Sequence, residues 1–383
     1  MSVERRLITI GHSYVVAENR RLAHEMAIAG RGRWRVTAVA PVAYRGDLRR
    51  IAFEPIPNEA CTVVPLRVRF DRVPHLMWYA GLSDAFSSGA DVVHCWEEPY
   101  VLAAAQVARH ATRPARVVYA TFQNLPKSYP PPLTGFERES LTRASGWIAF
   151  SRTAEETLGP RDGYGRIPHR VIPPGVDVAK FAPDAASGRA VRRQIGWPED
   201  ALVVGYLGRF TQEKGLHDLC DALDRMRSPW FALLVGGGAL QSDLERFRDR
   251  HPARVHIANG VNHGDVPRWL NAMTVLCAPS RTTESWREQF GRMLIEAMSC
   301  GVPVVATSSG EMPHVLDDSA RVVAEQDPAA LAAALDTLLA NEGVRSRLSV
   351  AGVTRARERF AWPVVARQHL DFFDALIASR DAT

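Results

Sequence analysis

Two carboxylates, Glu288 and Glu296, bracket seven residues in the string E-Q-F-G-R-M-L-I-E-A-M-S-C-G-V-P-V-V-A-T, residues 288–307. An ionised carboxylate accepts hydrogen bonds from hydroxyls, so such a pair suits a polyhydroxylated phosphate ester. Glu288 ends a polar loop that follows the apolar run Val275–Ala278. Gly291 opens an amphipathic stretch, Gly301-Val302-Pro303 closes it, and Val304-Val305-Ala306 follows. The order is strand, loop, helix, strand. Glu288 therefore precedes a first helical turn, where unpaired N–H groups and the helix dipole attract an anion. Glutamate is also a good helix former, and the spacing alone is equally that of an ordinary helix.

A second constellation is Gly208-Arg209-Phe210-Thr211-Gln212-Glu213-Lys214-Gly215. It follows the apolar run Leu202–Leu207 and opens a helix expected over Leu216–Met226. Glycines let a backbone approach a ligand, and Arg209 and Lys214 can converge on one diphosphate. The order of residues is not that of a Walker A loop. In the first half, Glu97 and Glu98 follow the strand-like Asp91–His94, and strand ends of a doubly wound sheet face its ligand crevice. Either carboxylate could polarise an acceptor hydroxyl. His12 follows Gly11 at the end of the first strand, and His94 at its own strand end reads equally as a packed core residue.

These strings resemble the retaining glycosyltransferases of family GT4. The E-x7-E motif, the following G-V-P-V-V-A, the G-R-x-x-x-E-K-G string and V-I-P-P-G-V-D with F-A-P after it carry the likeness, Pro174 replacing the usual Asn. It is strongest over about residues 170–370. It implies an α/β chain of the GT-B fold, two Rossmann-like doubly wound parallel-sheet domains facing an interdomain cleft. It also implies that Arg209 and Lys214 neutralise the donor diphosphate, that Glu213 orients Lys214, that Glu288 contacts the donor sugar and that Glu296 holds the ribose. Arg209, Lys214 and Glu288 are the implied catalytic set. Gly208, Phe290 and Gly291 complete the donor strings, and Val261 passes the nucleobase through its backbone. Gly11 stands where the family keeps a glycine-rich loop against the phosphates, and Gln123 where many members have a sugar-contacting histidine. His314 replaces the carboxylate of a usual G-G-x-P-E stretch, which leaves that loop structural. His12, His94, Glu97 and Glu98 are the acceptor-side candidates. The implied reaction is retaining, metal-independent transfer from a nucleotide-diphosphate sugar to a hydroxyl of a glycan, lipid or small-molecule glycoside, with no cofactor. A sugar-nucleotide epimerase, a phosphorylase, or a non-catalytic nucleotide-sugar-binding subunit would share the architecture.

Short apolar strands alternate with helical patterns throughout, which argues for parallel sheets covered on both faces. Expected strands are Leu7–Ile10, Arg35–Ala40, Asp91–His94, Arg116–Ala120 and Trp147–Phe150. Expected helices are Ala17–Ala29, Pro99–Arg109, and one from the cap-like Ser151 to Leu158. Proline and glycine crowd residues 170–183, and the rhythm pauses there. The expected division is a first domain over 1–177, a second over 178–361, and a terminal helix over 362–383 that returns to the first.

A chain of 383 residues fits two domains of roughly 180 residues each. No run approaches the ~18 apolar residues of a membrane span, and the first apolar segment is too short for a secretory leader. Five scattered cysteines form no C-x-x-C pair, which suggests neither a disulfide framework nor a zinc site and fits a cytoplasmic home. Residues 1–177 hold 23 Lys and Arg against 17 Asp and Glu, the remainder 24 against 25. That excess could steer an anionic acceptor or a peripheral contact with an anionic inner membrane face, or be an arginine-rich composition spread over solvated surface. No nucleic-acid partner is expected.

Overall fold

The computed structural model describes residues 4–46 and 50–381. The chain forms two compact units, Met1–Gly175 with Trp362–Thr383, and Val176–Ala361.

The first unit is built on an eight-stranded sheet. Its strands are β1 (Arg5–Ile10), β2 (Trp34–Pro41), β5 (Thr62–Arg69), β6 (Trp78–Ala80), β7 (Val92–Cys95), β8 (Arg116–Thr121), β9 (Ala144–Ala149) and β10 (His169–Val171), while β3 (Ala43–Arg45) and β4 (Arg50–Ala52) form a separate hairpin. The spatial order is β10-β9-β8-β7-β1-β2-β5-β6. Every pair is parallel except β5 with β6. Strand order reverses between β1 and β7, so their carboxyl ends open a crevice. The helix Ala17–Ala29 packs with the terminal helix Trp362–Asp381, whose Trp362, Val365, Leu370 and Phe373 join the core of this unit.

The second unit has β11 (Val203–Arg209), β12 (Phe231–Gly237), β13 (Val255–Ala258), β14 (Val275–Ala278), β15 (Val304–Thr307) and β16 (Arg321–Val323). All are parallel in the order β13-β12-β11-β14-β15-β16. The reversal falls between β11 and β14, the strands that precede the two constellations read from the sequence.

Strands buried on both faces read as continuous apolar runs, and β14 and β15 are wholly buried. The expected strand at Trp147–Phe150 begins earlier, at Ala144, and the proline-rich stretch expected only to link domains contributes β10 to the first sheet. Ser151 caps its helix as expected, accepting a hydrogen bond from the Ala154 N–H. The five cysteines are all free and buried. No described helix is long and apolar enough to cross a membrane.

Helix packing is tightest at Gly188, where an added Cβ would lie 2.1 Å from the Asn271 carbonyl oxygen. Gly135, also helical, has nothing within 4 Å of that position. Gly188→Ala is expected to destabilise the second unit by about 2 kcal/mol through overpacking. Gly135→Ala is expected to stabilise the first unit by about 0.5–1 kcal/mol, the helical cost of glycine. Urea unfolding midpoints check both signs.

Candidate functional site

In the second unit the loops after β11 and β14 touch. Gly215 has φ +68°, and a Cβ there would lie 1.8 Å from the Pro279 carbonyl oxygen. Only glycine accepts both the left-handed conformation and that approach. The contact brings the two constellations together. Lys214 Nζ donates to Glu288 Oε2 at 2.5 Å, and the Ser280 hydroxyl donates to the same oxygen at 3.2 Å. Both partners are largely shielded, with 13% and 8% of their side chains exposed. Nζ also lies 4.7 Å from the centre of the Trp286 ring, a cation–π arrangement. The backbone of Glu288 is held by the loop after β15. The Glu311 N–H donates to the Glu288 carbonyl at 3.1 Å, and at Gly310, with φ +54°, a Cβ would meet that oxygen at 2.0 Å.

Gly291 adopts φ +80° and caps the helix Arg292–Ser299, with no side-chain capping bond. Glu296 lies inside that helix, buried, with His263 Nε2 3.7 Å from its carboxylate. Arg209 is 61% exposed and only 3.6 Å from Glu213, whose carboxylate also accepts from the Thr211 hydroxyl at 2.7 Å. Glu213 thus partners Arg209, and Glu288 is the carboxylate that holds Lys214, which corrects the role expected for Glu213. Gly208 and Gly236 press backbone on backbone, because a Cβ at Gly236 would lie 1.8 Å from the Gly208 oxygen. The Phe290 side chain is core, edge-on to Phe360 at 5.8 Å, so any ligand contact there falls to its backbone. Val261 is half-buried against the same core.

At the β1/β7 crevice of the first unit, His12 Nδ1 lies 2.7 Å from Glu97 Oε2, and the His12 N–H donates to Oε1 at 2.6 Å. The Tyr79 hydroxyl donates to that same oxygen, also at 2.6 Å. Burial opposes ionisation of Glu97, but His12 and these bonds hold it below the ordinary carboxylate range. Gly11 fits between the two strand ends, where a Cβ would lie 2.8 Å from Trp96 Cβ. Glu98 accepts from the Thr121 hydroxyl at 2.6 Å and the Phe122 N–H at 2.8 Å. Both carboxylates are therefore engaged by protein donors at the crevice. Gln123 is buried, its Oε1 accepting from Tyr129 at 2.9 Å and its Nε2 donating to the Leu125 carbonyl at 3.3 Å. His94 is a further correction. It has no exposed surface and packs against His369 and Phe373, and burial, then the neighbouring His369, drives its pKa well below the ordinary value. It is a core residue with no face toward an acceptor. Among the described residues, no group of three or more His, Cys, Asp or Glu side chains could hold a metal.

The family described as Glycosyltransferase Family 4 matches residues 20–180, and that described as Glycosyl transferases group 1 matches residues 188–355. The chain belongs to glycosyltransferase family 4. A curated family relative, D-inositol 3-phosphate glycosyltransferase of Xylanimonas cellulosilytica, is 31% identical over 258 residues, 64% of this chain and 60% of its own length. The chain spans about half to three fifths of the length of the curated relatives it matches. The fold is GT-B. It is shared with sucrose-phosphate synthase from Thermosynechococcus elongatus (TM-score 0.74, 22% identity, 98% of this chain and 100% of that one). It is shared too with Anabaena Alr3699/HepE in complex with UDP-glucose (TM-score 0.71, 18% identity, 97% and 100%).

Glu98 supplies a pH test of the crevice. Burial raises its pKa from 4.5 to about 6 against the opposing bonds from Thr121 and Phe122. The folded state binds this proton more tightly than the unfolded chain. The associated stability is present below pH 4.5 and is lost as pH rises through about 6. Glu98→Gln removes that titration. Relative to wild type, the variant is expected to be more stable at pH 7 than at pH 4.5 by about 2 kcal/mol, measured by urea unfolding at both values.

Proposed function

We propose that the chain transfers a sugar, with retention, from a nucleoside diphosphate sugar to a hydroxyl acceptor, without a metal. The observation that carries this is the Lys214–Glu288 pair, shielded beside Ser280 at the switch point of the second sheet. In the absence of an anion, Glu288 neutralises Lys214. A diphosphate would compete for the ammonium and release Glu288 Oε2 to the hydroxyls of the donor sugar. Arg209, exposed on the neighbouring loop, supplies a second cation. The helix start behind Gly291 adds the positive end of a dipole. These groups stabilise the charge that develops as the nucleoside diphosphate departs. Glu296 takes the ribose. The relatives named for D-inositol 3-phosphate make a cyclitol phosphate the first acceptor to test. The basic excess of the first half and the exposed Arg67, Arg69 and Phe70 support peripheral contact with an anionic surface, and the five free thiols support a cytoplasmic setting.

The donor is identified by thermal shift with UDP-, GDP-, ADP- and dTDP-sugars, since a ligand of the folded state raises Tm by mass action. With the matching nucleoside diphosphate, Lys214→Ala and Arg209→Ala are each expected to lose roughly 1.5–3 kcal/mol of affinity by calorimetry. Glu288→Gln should bind it unchanged or tighter while turnover falls, whereas Glu296→Gln should lose both affinity and turnover. Equal loss of nucleotide binding in the two glutamine variants would mean that the roles are misassigned.

Transfer is also expected to survive EDTA. Loss of activity on chelation, with recovery on adding Mg²⁺ or Mn²⁺, would refute the metal-free part of the proposal.

A further inference from the structure

Lys214 is held by two partners of different kinds. Glu288 takes one of the three N–H donors of its ammonium, and the Trp286 ring is centred 4.7 Å from Nζ. The ring reaches that position because its loop is tied down at several points. Arg281 forms a forked salt bridge to the buried Asp218, and its N–H donates to the Glu213 carbonyl at 2.8 Å. The N–H and hydroxyl of Thr282 donate to the two oxygens of Glu325 at 2.5 and 2.8 Å. The Thr283 N–H then donates to the Trp286 carbonyl at 2.7 Å, which closes a turn over Glu284 and Ser285. Residues Thr282, Thr283, Glu284 and Ser285 are exposed, whereas Trp286 is half-buried. A polar, exposed loop thus turns one large ring over a shielded cation.

The two partners respond differently to a diphosphate. Carboxylate and phosphate oxygens compete for the same N–H groups, so Glu288 must yield. An aromatic face attracts the charge through its quadrupole and takes no N–H donor, so it needs no displacement. It also keeps water from the cation, and the attraction to an anion is stronger where water is excluded. A lysine stem is flexible, and the ring restricts it whichever anion is bound. We propose that Trp286 is a positioning residue for Lys214, its ring keeping the ammonium in place while the partner changes from Glu288 to the donor diphosphate. The proposal rests on the reading of Lys214 given above. All of its parts lie in the second unit.

Calorimetry with UDP, GDP, ADP and dTDP on the full chain selects the nucleoside diphosphate that binds most tightly. Its Kd is then measured for wild type, Trp286→Leu, Lys214→Met and the double variant. Lys214→Met removes the charge and keeps the stem beside the ring, so simple packing would survive it. Trp286→Leu is expected to weaken binding about tenfold with Lys214 present. In the Lys214→Met background the same change should cost less than about twofold. Trp286→Phe keeps an aromatic face and should stay within about threefold of wild type. An equal loss from Trp286→Leu in both backgrounds overturns the proposal, because the ring would then act on the nucleotide itself. So does Trp286→Leu binding within about twofold of wild type, or a Phe variant as weak as the Leu variant. If Trp286→Leu fails to fold, Trp286→Met takes its place in the cycle under the same criteria. If none of the four diphosphates binds, or Lys214→Met binds like wild type, the diphosphate reading of Lys214 fails and this proposal falls with it. A weakened Lys214→Met beside an unaffected Trp286→Leu leaves that reading standing and overturns this proposal alone.

Discussion

The approach of Gly215 to the Pro279 carbonyl is the contact on which the second site depends. A parallel doubly wound sheet delivers the loops after β11 and β14 to the same edge, but delivery alone leaves a gap between them. The absence of a Cβ closes it, and Lys214 then reaches Glu288 at 2.5 Å. A further loop, through Gly310 and the Glu311 N–H, fixes the Glu288 peptide from the opposite side. The Glu288 peptide is thus held by backbone geometry on both sides. A salt bridge in this position contributes little net stability, because desolvation offsets the attraction.

The first unit solves a similar placement problem by different means. Its switch point lies between β1 and β7, and the chemistry there is an imidazole held by a buried carboxylate. Glu97 draws its donors from the His12 N–H just after β1 and the Tyr79 hydroxyl on β6 as well as from the imidazole itself. Each of these bonds lowers the energy of the charged carboxylate in a place where burial alone would protonate it. Glu98, one residue away, has two uncharged donors and titrates higher. Adjacent residues of one type therefore differ in protonation because their partners differ.

What the sequence made legible follows the same physics. Runs such as Val275–Ala278 and the periodic Ala17–Ala29 were readable because burial on a sheet or along one helix face leaves a local pattern. The strand Thr62–Arg69, one in from the sheet edge, was not read, since its half-solvated alternation includes Pro65 and two arginines. His169–Val171 is three residues long and lies beside prolines, so its pairing with β9 is a tertiary fact. At the sites, residue types were visible and partners were not. Glu213 sits next to Lys214 in sequence but turns to Arg209, and the glutamate that Lys214 meets is 74 positions away. The same distance effect hid the Trp286 ring over Lys214 and the link from His12 to Glu97. A strand end bearing a histidine, as at His94, looks the same in sequence whether the ring faces a ligand or the core.

The burial of the five cysteines has a practical side. Burial pushes the thiols of Cys61, Cys220 and Cys300 up to about 12, so almost no thiolate is present at neutral pH. Alkylating reagents therefore find nothing to attack until the chain opens. The folded protein is in effect a blank background for thiol chemistry, and a single surface cysteine introduced into either unit would carry a fluorophore or spin label without any native thiol being removed first.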